Sequence, residues 1–210
     1  MATELDVTED FLRAGVGAVA WADALETARR YVDAPGIGFE IFDAEKATCL
    51  SGLHLGIDPA DFAEYIETFS DNVHPRSAAL NGLGYGASFH DLEILSEAEI
   101  SAHPFYDWLR RVGDYRYAVV HSAYRSDTIH ASIHPQFEAR HADRLGACKT
   151  QLARISDAVR TGVELRRLKL TGAADWLGDT QPHALWLLDH RFHVLHANRR
   201  AEAVEPAANA

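Results

Sequence analysis

The sequence predicts a mixed α/β domain with a central, mainly antiparallel sheet flanked by long N- and C-terminal helices. Three observations carry this. Two pairs of β-rich runs are each joined by a short polar turn, as antiparallel hairpins require, and helix start signals lie between the pairs. A long amphipathic run without a breaker follows the second pair. With 210 residues, 47% of them hydrophobic, the chain can bury one full core without disulfide or metal staples.

From Val19 to Val32 the apolar residues Val19, Ala20, Trp21, Leu25, Ala28 and Val32 fit one helical face, and Asp33-Ala34-Pro35-Gly36 ends the run. Gly36 to Asp43 and Lys46 to Leu53 read as strands turning at Ala44-Glu45. Asp58 offers an N-cap oxygen and Pro59 occupies the first helical position, where its missing N–H costs nothing. A helix Asp58 to Ser70 follows, with Phe62, Tyr65, Ile66 and Phe69 on one stripe. Gly82 to Phe89 reads as a loop by its glycines; no strand precedes it and no Lys-Ser/Thr follows, so it is not a phosphate cradle. Ser96 and Glu99 form a capping box, and Pro104 opens a helix carrying Phe105, Trp108 and Leu109.

Tyr115 to Arg125 and Thr128 to His134 form the second hairpin, turning at Ser126-Asp127. From Pro135 to Leu170 a long helix is expected, with Leu145, Cys148, Leu152, Ile155 and Val159 spaced three and four apart. Such a seam packs equally well on the chain's own core or along a symmetry mate, so a homodimer through this helix is one of two open readings. Beyond Gly172, Ala184 to Asp189 and Phe192 to Ala197 read as short strands turning at His190-Arg191, and Val204 to Ala210 as a disordered tail.

Charge and motifs exclude several function classes. A net charge of -11 repels nucleic acid, and the basic residues Arg160, Arg166, Arg167 and Lys169 alternate with Asp157 and Glu164 as an ion-paired helix face. No direct nucleic acid binding is expected. No run approaches the roughly 18 apolar residues of a membrane span, and Met1 to Glu9 is acidic, so a cytoplasmic location without membrane association is expected. Cys49 and Cys148, far apart and outside any CxxC pair, read as buried small apolar residues.

Of twelve histidines, His190, His193 and His196 alternate across a strand and cannot converge on one ion; His130 and His134 share a face without a third ligand near in sequence. Neither a metal nor a cofactor is expected. Without a Gly-x-Ser-x-Gly elbow, a cysteine nucleophile signature or paired carboxylates, no catalytic residue is assigned. What stands out is aromatic: Tyr65, Phe69, Tyr85, Phe89, Phe105, Tyr106 and Trp108 cluster between the hairpins. Such a wall suits either a small-molecule pocket or a second core layer.

The order helix, hairpin, helices, hairpin, long helix is that of an incomplete α/β/α sandwich of the kind found in GAF and autoinducer-binding domains. Several segments are similar in residues as well: Trp21-x-x-Ala24-Leu25, Tyr65-x-x-x-Phe69-x-x-x-x-His74-Pro75, Asp91-x-x-x-Leu95, and Ser101-x-x-Pro104-Phe105-Tyr106-x-Trp108-Leu109-Arg110 with Gly113. Together they resemble the N-terminal sensory domain of LuxR-type bacterial transcription regulators. In that family the domain is followed, often after a PAS-like segment, by a helix-turn-helix that binds promoter DNA. Leu187-Leu188-Asp189 through His196-Ala197-Asn198-Arg199-Arg200-Ala201 resembles the opening of a PAS domain.

The resemblance implies a GAF-like sensory domain over 1–172, an incomplete PAS-like segment over 173–203 and a tail over 204–210, with the helix-turn-helix absent. It implies a signal-sensing, dimerising regulatory domain that binds a small molecule through Tyr65, Phe69, His74, Phe89 and Trp108. Autoinducer-binding members usually carry an aspartate before the proline, accepting the ligand's amide N–H; His74 stands there instead, which counts against an acyl-homoserine lactone. Ligand would order the aromatic face and change how the long helix presents the downstream segment. Two other readings stay open: a stand-alone interaction module forming inactive mixed dimers with full-length regulators, and a small enzyme whose site is assembled from distant residues.

Overall fold

The structure is a computed structural model and describes residues 2–45, 48–69, 74–180, 186–188, 194–197 and 201, with 170–180, 187–188 and 194–197 described as backbone. The chain divides into two compact units, Met1–Val163 and Glu164–Ala210. In the first, α1 (Glu4–Gly15) and α2 (Trp21–Val32) lead into the hairpin β1 (Gly36–Asp43) and β2 (Cys49–Leu55). Five short helices with one strand among them follow: α3 (Pro59–Phe69), α4 (Pro75–Asn81), β3 (Ser88–His90), α5 (Asp91–Ile94), α6 (Glu97–Ala102) and α7 (Pro104–Gly113). The second hairpin, β4 (Tyr117–Arg125) and β5 (Ile129–Phe137), leads through a 3-10 turn at Ala139–Arg144 into α8 (Leu145–Thr180).

The five strands form one antiparallel sheet in the order β2-β1-β5-β4-β3. Strand alternation gives it two different faces. Ile37, Phe39, Ile133 and Phe137 point to the side of α1, α2 and α8, where Trp21 stacks on Phe39 at 5.4 Å and Phe11 meets Trp21 edge-on. The other face lies under α3, α4, α5 and α7. The architecture is the expected α/β/α sandwich around a mainly antiparallel sheet.

Several expectations change in detail. Two helices of 12 residues each, α1 and α2, precede the sheet in the chain, and the predicted helix Val19 to Val32 is the second of them. The first was missed because its acidic N-terminus hides a capping box in which Thr3 and Asp6 satisfy each other's orphan amides. The glycine-rich loop ends in strand: Ser88 and Phe89 belong to β3 at the sheet edge. β2 runs to Leu55, and Lys46 lies outside the described residues.

The long helix starts at Leu145 rather than Pro135, because Pro135 sits within β5. There β1 pairs through His134 and Pro135, while the β4 register skips both, on the side where proline has no N–H to give. The predicted stripe Leu145, Cys148, Leu152, Ile155 and Val159 is buried in the chain's own core, at most 1% exposed, which leaves it no surface for a symmetry mate. Cys49 and Cys148 are free and buried.

The second unit holds the end of α8 and an antiparallel hairpin of β6 (Trp186–Leu188) and β7 (Val194–Ala197), inside the two strands read from sequence. The predicted turn at His190-Arg191, His193 and the tail 204–210 lie outside the described residues. Among the described residues no helix is long and apolar enough to cross a membrane.

Candidate ligand-binding cavity

Strand β5 alternates strictly: Ile129, Ala131, Ile133 and Phe137 on one face, His130, Ser132, His134 and Gln136 on the other. In a half-exposed sheet the second set would be wet. Here all four are buried. Glu40 on β1 lies opposite Ser132 and Gly52, and Gly38 lies opposite His134 and His54, so Glu40, His54 and His134 share the face covered by α3, α4 and α7. The glycines make room for rings. A Cβ on Gly38 would sit 2.4 Å from the His54 ring, and one on Gly52 would sit 2.5 Å from Phe62.

Local capping fixes the cover. The Asp58 carboxylate accepts from the Ala60 N–H at 2.8 Å to start α3, which brings in Phe62, Tyr65 and Phe69. His74 and His103 cap α4 and α7, each followed by proline at the first helical position, and Ser96 with Glu99 forms the expected capping box of α6. Between cover and sheet lies a cavity of about 20 Å³, lined by Glu40, Phe42, His54, Ile57, Phe62, Tyr65, His74, Arg76, Ser77, Leu80, Phe105, Trp108, Leu109, Val120, His134 and Gln136. That volume holds about one water molecule, so a larger guest has to push the cover outward.

One chain of hydrogen bonds runs from the cover to the sheet. The Ser77 N–H donates to His74 Nδ1 at 3.4 Å, which puts the proton of a neutral His74 on Nε2, 3.1 Å from the Tyr65 hydroxyl. Tyr65 in turn donates toward Glu40 at 3.5 Å. His54 Nε2 comes within 2.9 Å of Glu40, yet off the line a hydrogen bond needs, and neither ring nitrogen of His54 has a hydrogen-bond partner among the described residues. The same holds for Trp108 Nε1. Burial pushes the Glu40 carboxyl up, but His134 and His54, in the charged form imidazoles take in acid, together with the His54 contact outweigh it and hold Glu40 at about 2. Burial holds His74 down at about 3 and His134 at about 4, so both rings are neutral at neutral pH while Glu40 is ionised.

Beside this cluster a second polar group is closed. Arg76 forks onto Asp91 at 2.8 and 2.7 Å and reaches Gln136 at 3.1 Å, while Asp91 also accepts from the Tyr106 hydroxyl at 2.6 Å and the Ala118 N–H at 2.5 Å. Phe105 and Tyr106 flank the guanidinium at 5.1 and 5.3 Å. This clasp ties α4, α5 and α7 to β4 and β5. Among the described residues no group of three or more His, Cys, Asp or Glu side chains is placed to hold a metal.

Of the five residues singled out from sequence, Tyr65, His74 and Trp108 line the cavity. Phe69 stands one layer out, against Phe105 at 5.6 Å and Trp108 at 6.1 Å. Phe89 lies opposite Val120 on the cavity face but does not line the cavity. Sequence reasoning missed Glu40, His54, His134 and Arg76. The available signal was a charged residue inside the β-rich run Gly36 to Asp43, and a polar alternation in a strand that two neighbours would bury.

No protein-family description and no curated protein matches the chain. Solved structures do. The ligand-binding domain of VqsR from Pseudomonas aeruginosa superposes with a TM-score of 0.57 at 16% identity, covering 77% of this chain and 94% of that one. The N-acylhomoserine lactone dependent LuxR family transcription factor CepR2 from Burkholderia cenocepacia gives a TM-score of 0.53 at 11% identity, covering 79% and 98%. Free methionine-R-sulfoxide reductase from Neisseria meningitidis gives 0.42 at 10% identity, covering 79% and 91%, too distant to carry an argument. The chain thus has the fold of LuxR-type ligand-binding domains.

Proposed function

We propose that this chain is the signal-sensing domain of a LuxR-type transcription regulator and that the cavity over β1, β2 and β5 receives its small-molecule signal. The observation that carries the reading is a buried polar sheet face, with unpartnered nitrogens, roofed by Tyr65, His74 and Trp108 in a fold shared with regulator ligand-binding domains. Phe69 would support the roof and Phe89 the cavity's flank. Because the closed space holds about one water, binding would open the cover and shift the balance between two conformers. α8 runs from Leu145 to Thr180 as one helix, which supports its presentation of the downstream segment as the output. No catalytic residue, cofactor, membrane contact or direct nucleic acid contact belongs to this reading, which places the protein in the cytoplasm, with 1–172 as the sensory part and 173–203 as a PAS-like start. It also includes a homodimer through α8, which has to use residues outside the buried stripe, such as the exposed Leu168.

The test is thermal unfolding of the chain against metabolite fractions, with mass by light scattering in the same buffer. A ligand at 100 times its Kd adds about 2.7 kcal/mol and raises Tm. A monomer that responds to nothing overturns the reading.

A further inference from the structure

The basic groups that the described chain sets against the cavity's carboxylate, Glu40, are imidazoles, His54 Nε2 at 2.9 Å and His134 Nδ1 at 3.7 Å. Among the described lining residues Glu40 is the one carboxylate, with its side chain 5% exposed. The one full cation of the lining, Arg76, is already forked onto Asp91, so its charge is spent. His74 and His134 are neutral at neutral pH, and His54 meets Glu40 without a hydrogen bond at either ring nitrogen. A buried charge is ordinarily paired and hydrogen-bonded, and a carboxylate met by imidazoles that do not hydrogen-bond it, beside a cavity, is a place for a ligand's full charge.

The walls fit the same partner. Phe62 packs 4.4 Å from the His54 ring and 5.5 Å from Tyr65, and Trp108 lies 5.6 Å from Tyr65, so three aromatic rings gather next to the carboxylate. Aromatic faces attract cations, most strongly where water is excluded. We propose that the cavity takes the head of a small protonated amine, its ammonium hydrogens on Glu40 and its charge against the rings of Phe62, Tyr65 and Trp108. A second ammonium hydrogen finds an acceptor in His54 Nδ1, and Trp108 Nε1–H, which has no hydrogen-bond partner, takes a neighbouring oxygen such as a hydroxyl. A ligand carboxylate would meet repulsion from Glu40, and a neutral acyl amide offers it no counter-charge. The inference rests on the sensing reading and narrows the chemistry of its ligand.

The experiment uses the full chain at pH 7.5 and constant ionic strength, and follows Tm with pairs that differ only in charge: ethanolamine against ethylene glycol, and 2-phenylethylamine against 2-phenylethanol. N-hexanoyl homoserine lactone is the neutral reference ligand. At least one amine should raise Tm and bind about tenfold or more tighter than its alcohol twin, and Glu40→Gln should abolish that preference. Should Glu40→Gln not fold, Phe62→Leu keeps the carboxylate and should weaken the amine several-fold. Equal responses to amine and alcohol, a response to the lactone alone, or an amine effect undiminished in Glu40→Gln each overturn the amine assignment and leave sensing intact. A chain that none of these compounds stabilises overturns the amine assignment and counts against the sensing reading with it.

Discussion

Asp91 and Glu40 are both carboxylates buried under the same helical cover, and their surroundings differ. Asp91 takes four donated hydrogen bonds, from two Arg76 nitrogens, Tyr106 and the Ala118 backbone. Glu40 has one long bond from Tyr65 and two imidazoles that do not hydrogen-bond it, His54 at 2.9 Å and His134 at 3.7 Å. A fully satisfied polar network specifies a structure, whereas a partly satisfied one beside a cavity costs stability unless something else completes it. The first cluster therefore reads as architecture and the second as a site.

The largest expected effect comes from acid, which attacks four buried imidazoles, two of them, His74 and His134, in the open half. Burial holds His74 at about 3 and His121, His130 and His134 at about 4, against an ordinary 6.5. The unfolded chain binds protons that these folded rings refuse, so stability is full above about 6.5 and falls as pH drops toward 4 and 3. The depressed Glu40 acts in the same sense, its contribution being present above about 4.5 and lost toward 2. Each ring costs about 1.4 kcal/mol per pH unit, roughly 5 kcal/mol for the four, which exhausts a typical stability of about 5–15 kcal/mol within one to three units. Far-UV circular dichroism against pH should show unfolding between about pH 6 and 4; native ellipticity at pH 3.5 would contradict neutral burial.

Next in size is the clasp. Asp91→Asn leaves the Arg76 guanidinium buried without its counter-charge and should cost about 3–5 kcal/mol by urea denaturation. Glu40→Gln removes a carboxylate with no such partner and should cost less than about half of that. Equal costs would erase the distinction between the clusters. Gly38→Ala follows: its methyl drives into the His54 ring, so a loss of about 1–3 kcal/mol is expected, together with displacement of His54 seen by NMR. The smallest effect is the control, Gly146→Ala in α8, where nothing lies within 4 Å of the added methyl; a gain of about 0.4–1 kcal/mol in Tm-derived stability is expected.

Much of the frame was legible because local chemistry decides it. Pro59 and Pro104 each open a predicted helix behind a capping side chain, and the two hairpins turn at short polar links. Pro135 misled for the same local reason, since a proline before an amphipathic run looks like a helix start. Most of the cavity's chemistry was hidden: Tyr65 and Trp108 stand in readable helices, whereas His74 caps α4, a helix the sequence does not predict, and Glu40, His54 and His134 belong to strands distant in sequence. No local pattern says that the polar side of β5 will be roofed.

By itself the sequence determined the α/β class, the two hairpins, the aromatic helices and the stripe of α8, since periodicity, caps and breakers act within a few residues. Only the tertiary structure decided that the α8 stripe is spent inside the chain, that Arg76 belongs to Asp91 across 15 residues, and that Glu40 is left facing a cavity. These outcomes turn on pairing between segments far apart in the chain, where burial sets the worth of each charge and burial is a property of the assembled fold.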